Sequence, residues 1–324
     1  MRVAGYSSYP FHYEMIGFLI HYCRVRGYEL VIYCLLGRDM GFIEMYRQVF
    51  GLHGHDLGVE FRDVRQFHLE CASGFDVYVC LTDDDPVFLS YEMPIFDKTI
   101  CIEHHYKRRQ SKMKHCLSFR PHMDEIAISE VKNAWIMACY PIFHQKNRYL
   151  PKTHVIILGS AKYYKTQILN RMRCIHGREI VIDCISRDAE GCKFNQDGQL
   201  RDGISLQIYR GIEMGYVIEL IKNADFVITD VMAGKENYCY EGMTAVIPLA
   251  YATLTPIVLC SENNAGLRLK SVIEFDSGGH EDILLGDVSS ESMRLERDEL
   301  LEHTFEGLDG LVSHILGERG ATEN

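Results

Sequence analysis

Short apolar runs alternating with segments of helical period constrain this chain more than any other feature. Arg2–Tyr6, Glu29–Leu35, Phe75–Leu81, Lys98–Ile102 and Ala134–Cys139 have strand length, while Glu14–Arg26 and Phe42–Phe50 place apolar residues three or four apart. A helix after each strand returns the chain to the same end of a sheet, so the rhythm predicts βαβ units and a mostly parallel sheet. In Glu14–Arg26, Met15, Leu19, Tyr22 and Cys23 form one apolar face, Glu14, His21 and Arg24 can stay wet, and Gly27 supplies a C-cap.

The pattern restarts after Pro141–Pro151, a stretch bracketed by prolines and polar in its middle, as interdomain connections are. Strands are expected at His154–Leu158, Glu179–Ile185, Ser205–Tyr209, Phe226–Thr229, Pro256–Cys260 and Ser271–Phe275. Helices are expected at Lys162–Cys174, Tyr216–Lys222, Ala245–Thr253 and Glu291–Leu316. A chain of 324 residues exceeds one comfortable core, so two Rossmann-like α/β domains are predicted, 1–150 and 151–324, with the hinge in Pro141–Pro151.

A net charge of −11 repels phosphate polyanions and argues against a nucleic-acid-gripping protein. No stretch has the apolar length of a secretion signal or a membrane span, so a cytoplasmic location is expected. Of the 12 cysteines, Cys34, Cys80, Cys101, Cys139, Cys184 and Cys260 lie in apolar runs, where a free thiol behaves as a small hydrophobe in a reducing compartment. No Cys-x-x-Cys pair occurs, and no structural metal is expected.

The most informative segment runs from Glu219 through Asn223-Ala-Asp225 to Thr229, crosses a loop, and continues as Glu241-Gly-Met-Thr into a helix and the strand Pro256-Ile-Val258. It resembles the C-terminal domain of retaining GT-B glycosyltransferases, in which two Rossmann-like domains face a cleft. In that family two glutamates separated by seven residues flank the donor. Glu241 matches the first, which meets the sugar; Leu249 stands at the second, which holds the ribose, and Leu254 stands at the family's helix-ending glycine. This departure is similar to that of transferases of large DNA viruses. Gly242, Met243 and Thr244 would line the donor, at a helix N-terminus on the carboxyl edge of a parallel sheet, where such folds bind ligands and anions. Glu241 also reads as a first-turn acid that stabilises the helix dipole, with Gly242 as a turn residue.

The loop Ser261–Gly266 after the next strand resembles the family's polar, glycine-containing loop, and places Asn263 and Asn264 near the diphosphate or simply turns the chain. The family's donor-phosphate cations follow the first strand of this domain; here that stretch is Gly159-Ser-Ala-Lys-Tyr-Tyr-Lys165, with Gly159, Lys162 and Lys165 as candidates. Cations there would stabilise the charge of the departing diphosphate. Two lysines three apart equally describe a solvated helix face.

In the first half, Ser7–His12 resembles the acceptor-side loop of these enzymes, with His12 as the candidate catalytic group. Ile102–Arg109 ends another strand, and His104, His105 and Arg108 are candidate acceptor contacts, or parts of a basic surface loop. Strand Phe75–Leu81 runs into Thr82-Asp-Asp-Asp-Pro86, similar to the metal motif of the GT-A fold, in which Asp83 and Asp85 would hold Mg²⁺ or Mn²⁺. Three acids before a proline are also N-capping chemistry for a helix starting there.

The resemblance implies transfer of a sugar from a nucleotide-sugar donor to a glycan or other hydroxyl acceptor, with retention and without an obligatory cofactor or metal; the net charge leads to the expectation of no nucleic-acid partner. A metal-dependent GT-A-type enzyme, a catalytically inactive GT-B-like binding or assembly module, and a sugar epimerase on the same fold are the alternatives.

Overall fold

The early apolar runs pair as parallel strands. The computed structural model describes residues 1–51, 58–70, 74–82, 85–90, 95–103, 113–119, 132–142, 151–158, 165–186, 199–231 and 245–322. The chain divides into two compact units, Met1–Tyr140 with Glu299–Asn324, and Pro141–Asp298.

In the first unit β1 (Arg2–Tyr6), β2 (Glu29–Cys34), β3 (Val59–Asp63), β4 (Val77–Cys80), β5 (Thr99–Glu103), β6 (His115–Ser118) and β7 (Lys132–Trp135) form one sheet in the order β3-β2-β1-β4-β5-β6-β7. Every pairing is parallel. A 3-10 turn, Pro10–Met15, leads into α1 (Ile16–Arg26); α2 (Phe42–Phe50), α3 (Phe67–Glu70) and α4 (Pro86–Leu89) follow. Gly27 ends α1 with φ +67 and its N–H on the Arg24 carbonyl, the left-handed cap that its sequence position predicts. One core of this unit is aromatic: Tyr6, Tyr33, Phe67, Phe75, Tyr78, Phe88 and Phe96 pack with Cys80, Cys101 and Cys116.

The second unit contains β8 (Thr153–Leu158), α5 (Thr166–Leu169), β9 (Met172–Cys174), β10 (Ile180–Ser186), β11 (Ile204–Arg210), α6 (Met214–Asn223), β12 (Phe226–Ile228), α7 (Val246–Thr253), β13 (Ile257–Cys260), α8 (Ser261–Leu267), β14 (Val272–Phe275), β15 (Ile283–Leu285) and the start of α9 (Ser290–Thr322). Its sheet runs β11-β10-β8-β12-β13-β14, again parallel throughout. All seven residues of β10 are buried, as in a parallel strand covered on both faces, and only Asp183 and Ser186 interrupt its apolar sequence. Val155, Ile157, Ile182, Cys184, Ile228 and Val258 form the core of one face with Leu169, Met172 and Leu285. Each such fully buried aliphatic side chain contributes about 1.5–3 kcal/mol.

Three expectations are corrected. Among the described residues the helix expected over Lys162–Cys174 spans Thr166–Leu169, because Met172–Cys174 pairs with β15 as a small parallel ribbon. The loop expected at Ser261–Gly266 is α8, entered directly from β13. The domain limits expected at 1–150 and 151–324 differ from the units observed: the second begins at Pro141, and α9 passes from it into the first at Glu299. On the second unit's side the Glu296 carboxylate accepts from the Tyr251 hydroxyl and the Ser271 N–H. On the first unit's side Phe305 packs on Tyr22, and Arg26 pairs with Asp309.

No helix among the described residues is long and apolar enough to cross a membrane. The cysteines among the described residues are not joined to one another by disulfides.

Candidate functional site

In a parallel sheet of this order the chain leaves adjacent central strands in opposite directions, and a crevice opens at their carboxyl ends. The switch point lies between β1 and β4 in the first sheet, and between β8 and β12 in the second.

At the first switch point the Ser7–His12 loop leaves β1. The Ser8 N–H donates to Asp85 Oδ2 at 2.8 Å, joining this loop to the one after β4. Tyr13 anchors its far end: the phenol accepts the Leu35 N–H at 2.6 Å and donates to the Ser7 carbonyl at 3.4 Å, and the Tyr46 hydroxyl donates to the Tyr13 carbonyl. Burial pushes the Tyr13 phenol far above its ordinary value, so it stays neutral and serves as a fixed hydrogen-bonding post. His12 lies between these anchors, half-buried, with its N–H on the Tyr9 carbonyl and its ring edge-on to Tyr9.

Asp85 is fully buried. Its Oδ1 accepts the Val87 and Phe88 N–H groups while Oδ2 takes Ser8, and Pro86 opens α4. Of its two sequence readings, the structure displays the helix cap. Among the described residues no group of three or more His, Cys, Asp or Glu side chains is assembled to hold a metal. Asp83 lies outside the described residues, as do His104, His105 and Arg108, which follow Glu103 at the end of β5.

At the second switch point the loop after β8 meets the end of β12. The Lys165 N–H donates to the Val231 carbonyl at 2.7 Å, and Lys165 opens α5. Glu241, Gly242, Met243 and Thr244 lie outside the described residues, as do Gly159 and Lys162. Ala245 is the N-cap of α7, whose eight residues are all buried. Leu249 is one of them, and a glutamate there would carry an unpaired charge into an apolar helix environment. Leu254 caps α7 at φ +54, the left-handed conformation that a glycine adopts without strain.

Asn263 and Asn264 are buried in α8. The Asn263 amide donates to both oxygens of Asp230, at 2.9 and 3.1 Å. Asn264 donates to the Leu269 carbonyl and Glu274, and accepts the Leu269 N–H. These bonds brace the turn out of α8 and the end of β12.

Sequence reasoning passed over Asp230. It has φ +64, and its Oδ2 accepts the Cys260 N–H and the Thr229 hydroxyl. A single acid after a strand carries no motif; its left-handed backbone is visible only in the fold.

No protein-family model matches the sequence, and no curated protein matches it. Solved structures do. AviGT4, a glycosyltransferase involved in avilamycin A biosynthesis, is 12% identical with a TM-score of 0.60 over 98% of both chains. An α-glucosyltransferase in complex with UDP-glucose and DNA containing an abasic site is 11% identical, with a TM-score of 0.52 over 95% of each chain. The lipopolysaccharide outer core galactosyltransferase WaaB is 11% identical, with a TM-score of 0.51 over 96% of this chain and 99% of its own. At such identities the likeness is one of fold: this chain has the α/β fold of GT-B glycosyltransferases, with two Rossmann-like units, each built on a parallel sheet.

Proposed function

We propose that this protein is a glycosyltransferase that moves a sugar from a nucleotide-sugar donor to a hydroxyl acceptor, with the donor held by the second unit and the acceptor by the first. The observation that carries the reading is the second switch point, where Lys165 is tied to the end of β12 immediately before the segment bearing Glu241.

Cleavage of the glycosyl bond leaves negative charge on the departing diphosphate. Lys165, with Lys162 and Gly159 of the same loop, would stabilise it, and Gly242, Met243 and Thr244 would bring a helix N-terminus to the same group. Glu241 would hold the donor sugar, and His12 would meet the acceptor hydroxyl with His104, His105 and Arg108. Retention and independence from metal belong to the reading, because a donor phosphate oxygen can itself take the acceptor proton. Asn263 would contribute through Asp230, and Asn264 through the α8 turn.

The test is thermal unfolding with UDP, ADP and UDP-glucose, with and without Mn²⁺, for wild type, Glu241→Ala and Asp83→Ala. A ligand that binds only the folded state at a hundred times its Kd stabilises it by about 2.7 kcal/mol. A metal-independent shift that is lost in Glu241→Ala supports the reading. A shift that needs Mn²⁺ and Asp83 replaces it with metal-dependent transfer. No shift with any nucleotide leaves a binding or assembly module on this fold.

A further inference from the structure

Asp230 follows β12 in a left-handed backbone, φ +64, which L side chains adopt only at a steric cost. Aspartate bears that cost better than most residues when its short carboxylate finds local hydrogen bonds, and such conformations persist where the surroundings over-determine them. Here the surroundings do so from three elements. Oδ2 accepts the Cys260 N–H at 3.1 Å, from the last residue of β13. The Thr229 hydroxyl donates to the same oxygen at 2.8 Å. Asn263, in the first turn of α8 and 1% exposed, donates to both oxygens. The next residue, Val231, turns its carbonyl to the Lys165 N–H at 2.7 Å.

From this geometry we infer that Asp230 is a positioning residue for donor binding: clamped by Asn263 and Cys260, it sets the Val231 carbonyl, and through it the backbone of Lys165 at the switch point. The left-handed turn is what aims that carbonyl across to the β8 loop, and the carboxylate is what holds the turn. The inference rests on the donor role proposed for Lys165.

A purely structural clamp would weaken the whole unit, whereas a positioning clamp acts on the diphosphate through Lys165. The experiment is a double-mutant cycle on the full chain, with UDP and uridine binding measured by calorimetry for wild type, Asp230→Asn, Lys165→Met and the double variant. Asparagine tolerates the left-handed region, and the unfolding midpoint of each variant checks that it folds. Each single substitution is expected to weaken UDP binding about tenfold and the double variant also about tenfold, because both act on one contact. Uridine binding is expected to be the same in all four. Asp230→Asn combined with Asn263→Asp restores a matched donor and acceptor, and is expected to recover UDP affinity to within about threefold of wild type.

A double variant weakened by the product of the two singles, about a hundredfold, overturns the inference, as does an unchanged UDP affinity in Asp230→Asn. Equal losses for UDP and uridine overturn it too. Failure of the wild type to bind UDP or ADP overturns the proposed function and this inference with it.

Discussion

The Ser8 N–H and Asp85 Oδ2 meet at 2.8 Å, so that one buried carboxylate joins the loop after β1 to the helix after β4. The same side chain accepts the Val87 and Phe88 N–H groups at 3.1 and 3.2 Å. Asp85→Ala strands three backbone donors at once, and is expected to cost about 2–4 kcal/mol of unfolding free energy, measured by urea denaturation. Asp85→Asn keeps the shape and one acceptor, and is expected to lose about half as much. A loss below about 1 kcal/mol for the alanine variant would show that the loop is held by other contacts.

His154 Nδ1 lies 2.8 Å from Asp183 Oδ2, on neighbouring strands β8 and β10. The hydrogen bond to Asp183 raises the imidazole above its ordinary value, against the opposing effect of partial burial. A group raised in the folded state contributes stability that is complete below its unfolded value, about 6.5, and is lost as pH rises through the folded value above it. His154→Asn retains a donor at the Nδ1 position without the titration. The advantage of wild type over this variant is therefore expected to be larger at about pH 6 than at about pH 8.5. A constant difference across that range would mean that the pair stays in one protonation state.

Gly17 lies in α1 where a Cβ would overlap the ring of Tyr140. Gly17→Ala gains about 1 kcal/mol of helix propensity but forces the ring or the helix to move, and overpacking of this kind costs about 1–3 kcal/mol. A net destabilisation is expected, relieved when Tyr140→Leu is added. Denaturation of the single and double variants measures both, and a stabilised Gly17→Ala would refute the close packing.

Arg268 ends α8 at φ +60 with its side chain exposed. Arg268→Gly removes the left-handed strain at the expense of extra freedom in the unfolded chain, and is expected to raise stability by about 0.5–1 kcal/mol. Leu254 has the same conformation but is half-buried, so Leu254→Gly also loses packing and is expected to gain less. Midpoints of thermal unfolding rank the two, and a larger gain at Leu254 contradicts the argument.

Much of the architecture was legible because its signals are local. A strand buried on both faces, such as β13, reads as a continuous apolar run, and the cap at Gly27 follows from where the helical period stops. The GT-B-like fold followed from the alternation and from Asn223–Asp225, Glu241 and the strand at Pro256–Val258. Less of the site was legible. Asp85 carried two readings, and so did Asn263 and Asn264, as donor contacts near the diphosphate or as turn residues, because their polarity gives no sign of the partners that bury them.

The sequence by itself determined the βαβ rhythm, its restart after Pro141–Pro151 and the strands of both sheets that have their own apolar period. Tertiary structure alone decided that Met172–Cys174 is a strand, since its partner Ile283–Leu285 lies far along the chain. It alone decided the bonds from Ser8 to Asp85, from Lys165 to Val231, and from Cys260 and Asn263 to Asp230. Periodicity records which face of an element is buried. A hydrogen bond between residues far apart in sequence has no period, and exists only once the sheet has brought the carboxyl ends of its strands together.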